Sequence, residues 1–283
     1  MLKHPITQTN AAIGIDIHQK FVCTVELTKF GSTYTVKNCI YNTDINNINL
    51  AAKPVITGLA HKDIYFQEIQ LQQKLTAIKL EKFLQLNIGK YLKHPVKDLI
   101  FDYAIIKNSS ETTGTTVQLI AASNAVIQKH VNLFKQHNIF HKIIDLNIYA
   151  LERVTRRQAP ISDNIVAAIN IDLDNLLIIV INKYKILYTH AEFIENINEH
   201  ELTIKLITVL RNIPHKIDRI FLAGQQNIES NILTIIINNF NLEAKKINSF
   251  IGMKLPNNFD HKITPALAIS CGLALRVNDV RWH

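Results

Sequence analysis

Apolar residues alternate with polar or small ones from Ala11 onward. Ile13, Ile15 and Ile17 alternate with Gly14, Asp16 and His18, and Phe21, Cys23, Val25 and Leu27 alternate with Val22, Thr24 and Glu26. A period of two predicts a strand, a tight turn over His18–Lys20 and a returning strand. Thr33–Tyr41 continues as a third strand. The arrangement recurs in the second half. Ile165–Ile171 is an apolar strand, Asp172–Asn175 a turn, Leu176–Ile181 a returning strand and Lys185–His190 a third. One three-strand unit opening each half points to an internal duplication.

Between and after these units the pattern changes period. Asn42–Leu50 offers caps and spaced apolar residues, which predicts a short helix closed by Pro54. Val55–Leu59 reads as a strand broken at Gly58, and Asp63–Leu71 as strand giving way to helix, with Leu75, Ile78, Leu80 and Phe83 at helical spacing. Asp98–Lys107 and Thr116–Ala122 are strands flanking the polar turn Asn108–Gly114. Ser123 or Asn124 then caps a helix with Val126, Ile127, Val131 and Phe134 on one face. Lys142–Asp145 is a strand and Asn147–Arg157 a helix ended by Pro160. In the second half His200–Arg211 and Asn231–Asn239 are helices, Ile217–Ala223 is a strand ending at Gly224, and Pro265–Arg276 is a buried closing helix of small and apolar residues.

Composition narrows the class. A hydrophobic share of 47% over 283 residues allows two domains with cores and excludes disorder. No apolar run reaches the roughly 18 residues of a membrane helix, and Met1–Asn10 lacks a signal-peptide core. The expected compartment is therefore the cytoplasm. Cys23, Cys39 and Cys271 form no close pair and read as small buried hydrophobes. His137 and His141, four apart at a helix end, read as solvated rather than metal-bound. The net charge of +8 permits an anionic partner, but the densest basic cluster, Arg153, Arg156 and Arg157, lacks interleaved aromatics, so nucleic acid is not expected.

The duplication is the plan of the actin-like ATPases, which hold nucleotide between two related domains. There a turn such as His18–Lys20 cradles phosphate and the preceding Asp handles the metal. A plain surface hairpin explains the turn as well, and Asp16 can equally accept hydrogen bonds from its own turn. Several further segments carry a resemblance in the same order as in one family. They are Gly14–Ile17 with Val25–Leu27, Tyr91-Leu92 with Pro95 ahead of Phe101–Tyr103, and Ile120–Ser123. They continue with Asp145, Ala150 and Arg153, then Lys185–Thr189, Phe221–Gly224, and Ala266–Ala268 with Gly272–Arg276. In these the chain resembles the PilM-type type IV pilus assembly proteins (the HofM group included), relatives of the division actin FtsA. The resemblance implies an α/β actin-like (ASKHA) fold of two duplicated mixed-sheet domains. Residues 1–97 and 142–160 would form the first, 161–283 the second, and 98–141 a small β-β-α insert. It also implies a cytoplasmic protein, peripheral at the inner membrane, that binds the N-terminal cytoplasmic tail of PilN within the inner-membrane pilus platform.

The sequence departs from the family at each nucleotide contact. His18 stands at the Gly position of the first phosphate turn, followed by Gln19, Lys20 and Phe21, and Cys23 stands at the Lys position. A side chain there restricts close backbone approach, though Lys20 can supply positive charge. In the second turn Asn170 takes the Asp position, Asp172 the Gly position, and Asp174 and Asn175 the hydroxyl positions. Gly224 survives, but Gln225–Asn227 follows it. Two carboxylates beside a polyphosphate repel it unless a cation intervenes.

The expected function is a non-catalytic adaptor without bound cofactor or metal, whose vestigial nucleotide cleft comprises Asp16, Gln19, Lys20, Asp172, Asp174 and Gly224. The PilN-like peptide would lie in a groove between the first domain and the insert, with Phe101, Asp102 and Tyr103 as candidate contacts. Self-association is compatible with the fold. The alternative is a working switch or weak ATPase that binds ATP with Mg2+ through Asp16, Lys20 and Gly224. A GspL-like secretion component and an FtsA-like division protein are disfavoured, because no membrane helix and no terminal amphipathic helix is seen after the actin-like region.

Overall fold

The computed structural model describes residues 11–18, 21–48, 50, 53–72, 75–92, 96–106, 114–159, 164–173, 175–194, 197–224 and 229–278. In chain order the elements are β1 (Ala11–Ile17), β2 (Val22–Phe30), β3 (Thr33–Thr43), β4 (Val55–Leu59), β5 (Tyr65–Leu71) and α1 (Ala77–Leu92). Then come β6 (Leu99–Ile106), β7 (Thr115–Ser123), α2 (Asn124–Gln136), β8 (His141–Leu146) and α3 (Asn147–Gln158). The second half holds β9 (Val166–Ile171), β10 (Asn175–Ile181), β11 (Ile186–Phe193), α4 (Glu199–Arg211), β12 (Arg219–Gly224) and α5 (Glu229–Phe240). It ends with β13 (Glu243–Lys246), β14 (Met253–Lys254) and α6 (Ala268–Leu275). The chain divides into two compact units, Met1–His61 with Ile139–Asn278, and one built on Lys62–Asn138.

The larger unit carries the duplication in its sheets. One runs β14-β3-β2-β1-β4-β8 and the other β11-β10-β9-β12-β13. In each, an antiparallel meander is followed by two parallel strands, β4 and β8 beside β1, and β12 and β13 beside β9. The strands beside the centre are buried on both faces. All of β9 and all but the first residue of β10 are buried, which is why they read as continuous apolar runs rather than alternations. Leu202 and Leu206 of α4 and Ile232 and Ile236 of α5 cover the second sheet with Ile169, Ile178 and Leu222. They belong to a core of 16 buried side chains among the described residues, whose burial supplies the main driving force for this half.

Helix α6 seals the first sheet. Its residues are all buried and small or aliphatic. A Cβ on Gly14 would lie 2.0 Å from the Ser270 carbonyl oxygen, and one on Gly272 2.0 Å from that of Ala150. These glycines let α6 press its backbone against β1 and α3. Arg153 of α3 adds a polar tie. Its Nη1 donates to Asp145 Oδ2 at 2.6 Å and to the Gly272 carbonyl at 3.1 Å. Arg156 donates to Glu152 Oε1 at 2.8 Å and to the Asn182 carbonyl at 2.9 Å, and Arg157 donates to the Ile251 carbonyl at 2.9 Å. The basic cluster of the sequence is thus engaged within the fold.

The smaller unit is the sheet β5-β7-β6 with α1 and α2. Leu80, Leu84, Ile88 and Leu92 line the buried face of α1 and pack on Ile69, Val117 and Leu119. Ser123 caps α2 through Oγ, which accepts from the Val126 N–H at 3.2 Å. This unit takes in β5 and α1 as well as the expected β-β-α segment, so its span, Lys62–Asn138, is wider than residues 98–141. The reason is that β5 pairs with β7 over its whole length, a non-local contact.

Other differences are local. Asn42–Leu50 holds one 3-10 turn, Ile45–Asn47, because Asp44 caps it and β3 runs on to Thr43. Strand β4 passes through Gly58 unbroken, and the closing helix is α only over Ala268–Leu275, with 3-10 turns on either side. Strands β13 and β14 were not expected. Glu243–Lys246 shows no alternation and lies at a sheet edge, where solvent permits charge on both faces. Cys23 and Cys271 are buried, whereas Cys39 is only half-buried. Most of the expected turn Asn108–Gly114, together with Pro160, lies outside the described residues.

Candidate functional site

The turn of each duplicated unit closes the same way. The His18 N–H donates to the Phe21 carbonyl at 2.9 Å, and the Asp172 N–H donates to the Asn175 carbonyl at 2.9 Å. His18 and Asp172 are therefore equivalent positions, as are Asp16 and Asn170 two residues earlier. Residues two apart on a strand share a face, and both pairs use it. His18 Nε2 lies 3.1 Å from Asp16 Oδ2, while Asn170 Nδ2 donates to Asp172 Oδ2 at 2.6 Å. The two turns meet through these side chains, with His18 Nδ1 at 4.0 Å from Asp172 Oδ2.

One ligand atom from each of Asp16, His18 and Asp172 falls within 4.8 Å of the other two. Asp16 is 5% and Asp172 7% exposed. Two carboxylates that close repel by on the order of 3 kcal/mol at an effective dielectric near 20. The His18 imidazole lies between them, with Nε2 toward Asp16 and Nδ1 toward Asp172. It is held in place by stacking on Phe21, with ring centroids 4.4 Å apart, and Phe21 in turn meets Tyr41 edge-on at 6.2 Å. Carboxylate and imidazole lone pairs suit a cation. They do not suit phosphate oxygens, and the N–H groups of His18 and Asp172 already serve their own turns.

Gly224 ends β12 opposite Ile171, the residue before Asp172. Its φ is +116°, and a Cβ there would lie 2.0 Å from the Ile171 carbonyl oxygen. Close strand packing alone thus requires glycine. Gln19, Lys20, Asp174 and Gln225–Asn227 lie outside the described residues. In the sequence His18 stands out only as a residue at the family's glycine position. The Asp-x-His spacing was the available signal, but its partner Asp172 is remote in the chain.

The candidate peptide contacts fall in the smaller unit, on its edge strand β6. Phe101 and Tyr103 pack partly buried against that unit's core, and Tyr103 Oη donates to the Ala77 carbonyl at 3.4 Å. Burial, with Glu81 and Asp102 nearby, raises the Tyr103 phenol above its usual range. Asp102 Oδ1 accepts from the Tyr103 N–H at 2.8 Å. His137 caps the C-terminus of α2 and His141 opens β8, so they do not share a helix face.

The family described as Type IV pilus assembly protein PilM matches residues 28–194, more than half of the chain. The chain belongs to the PilM family. No match was found among curated protein sequences. In solved structures, the PilM-PilN type IV pilus biogenesis complex superposes with a TM-score of 0.78 at 16% identity, covering 95% of this chain and 98% of that one. A Bacteroides thetaiotaomicron protein with an actin-like ATPase fold superposes with a TM-score of 0.51 at 10% identity, covering 87% and 93%. The cytoplasmic domain of EpsL, an inner-membrane component of the Vibrio cholerae type II secretion system, gives 0.51 at 11% identity, covering 94% and 95%. At these identities the likenesses establish the actin-like fold. This PilM-family chain has no helix long and apolar enough to cross a membrane among the described residues.

Proposed function

We propose that this PilM-family protein is a non-catalytic adaptor of type IV pilus assembly. It binds the N-terminal cytoplasmic tail of a PilN-like protein at the inner face of the membrane, and its nucleotide cleft no longer holds ATP tightly. The observation that carries the partner is the likeness, over 95% of the chain, to a structure of the PilM-PilN complex. The edge of β6 in the sheet β5-β7-β6 offers backbone groups to which an extended peptide can add. The reading of the cleft is supported by His18 in a turn that would need glycine, and by Asp16 and Asp172 turned toward the same point. Each lost phosphate contact worth about 1.4 kcal/mol weakens affinity tenfold.

Calorimetric titration of the full chain with a PilN N-terminal peptide, with and without Mg-ATP, tests both parts. Peptide binding without nucleotide is the expected result. No peptide binding under either condition overturns the partner assignment, and ATP binding that strengthens peptide binding overturns the degenerate cleft.

A further inference from the structure

We propose that Asp16, His18 and Asp172 form a site for a divalent transition-metal ion of the zinc class, loaded without nucleotide. The inference stands on the geometry of the two turns and does not depend on the PilN-like partner. The actin-like fold would lead one to expect magnesium carried by a nucleotide's phosphates. The residues here do not fit that group. They supply two carboxylate oxygens and an imidazole nitrogen, converging within 4.8 Å from two turns more than 150 residues apart. Oxygen-only sites suit magnesium, whereas an imidazole in the donor set favours zinc and its neighbours.

One separation already suits direct coordination. Bonds of about 2.0 Å to a tetrahedral ion put ligand atoms roughly 3.3 Å apart, and Asp16 Oδ2 and His18 Nε2 are already 3.1 Å apart. Asp172 Oδ2 lies 4.0 Å from the other ring nitrogen, Nδ1, so it closes the third corner by shifting inward from the opposite turn. Supporting contacts are in place. The Asn170 amide fixes Asp172 Oδ2 at 2.6 Å, and Phe21 fixes the imidazole plane by stacking. Such outer contacts orient ligands in metal sites. Three protein ligands leave a fourth position for water. The ion would neutralise two buried carboxylates and pin the turn of the first sheet to the turn of the second.

The test titrates the full chain, stripped with a chelator, with Co2+ alone, followed by displacement with Zn2+. The expected result is one equivalent with the visible absorption of a low-symmetry nitrogen–oxygen site. Zinc should raise the Tm of the wild type. His18→Gln and Asp172→Asn, checked by circular dichroism in chelator, should each weaken Co2+ binding at least about tenfold. An independent readout on the wild type is zinc X-ray absorption, which should show one imidazole and otherwise oxygen ligands. No one-equivalent signal overturns the proposal. So do two or more imidazoles on the bound ion, full binding by both folded variants, or Mg2+ occupancy that Zn2+ does not displace.

Discussion

The Asp145–Arg153 pair is a buried ion pair of the larger unit, and Arg153→Met isolates it. Both side chains are 6% exposed, and their contact is 2.6 Å. Methionine preserves most of the aliphatic volume, so the change chiefly removes charge and donors. Breaking one side of a buried pair costs about 3–5 kcal/mol, because the remaining charge is stranded. Here Arg276 Nε stays 3.9 Å from Asp145 Oδ1 and moderates the penalty. The Gly272 carbonyl also loses its 3.1 Å donor. A cost near the lower bound, about 3 kcal/mol, follows, and for a unit of this size it lowers Tm by roughly 6–12 °C. Thermal and denaturant unfolding of wild type, Arg153→Met, Asp145→Asn and the double variant gives the interaction directly. The double variant should be more stable than the sum of the single losses by about 1.5 kcal/mol or more. A Tm change under about 2 °C for Arg153→Met, or additivity within about 0.5 kcal/mol, refutes the assignment of the pair as the tie among β8, α3 and α6.

Gly14→Ala should destabilise far more than Gly31→Ala: the first drives a Cβ to 2.0 Å from the Ser270 oxygen, the second meets nothing within 4 Å at φ +59°. The latter costs about 1 kcal/mol, and the reverse order in unfolding experiments would count against the α6 packing. His61, which contacts Thr189 Oγ1 at 2.8 Å, is held below its ordinary pKa of 6.5 by burial first and by the His190 charge second. The unfolded chain therefore binds this proton at higher pH than the folded one. Stability should be greatest above about pH 6.5 and fall as pH drops toward the folded value. His61→Gln should flatten that slope in Tm measurements, and an unchanged slope assigns it to other groups. Thiol titration of the native protein should detect Cys39 first, with Cys23 and Cys271 reacting only on unfolding; burial pushes the Cys271 thiol far up, and Sγ donates to the Ser249 carbonyl at 3.1 Å. Rapid labelling of Cys271 in the folded state would contradict its placement.

The sequence by itself determined the duplicated meanders, most helices and the actin-like plan. Those features arise from interactions between near neighbours. Alternation places Ile13 and Ile15 on one face, continuous apolar runs mark the doubly covered β9 and β10, and Ser123 signals its own helix start. What depends on distant residues was decided by tertiary structure. The extent of the smaller unit follows from β5 pairing with β7, and β14 is a strand only because β3 lies beside it. The sequence shows the arginine cluster only as a concentration of positive charge, whereas in the fold its donors meet carbonyls supplied by Asn182, Ile251 and Gly272. The candidate site divides the same way. Asp16 was legible as a strand-end acid, Asp172 as a turn residue and Gly224 as the glycine that ends its strand. The junction of Asp16, His18 and Asp172 was not, because a lone histidine carries no record of the carboxylate that a second sheet will bring to it.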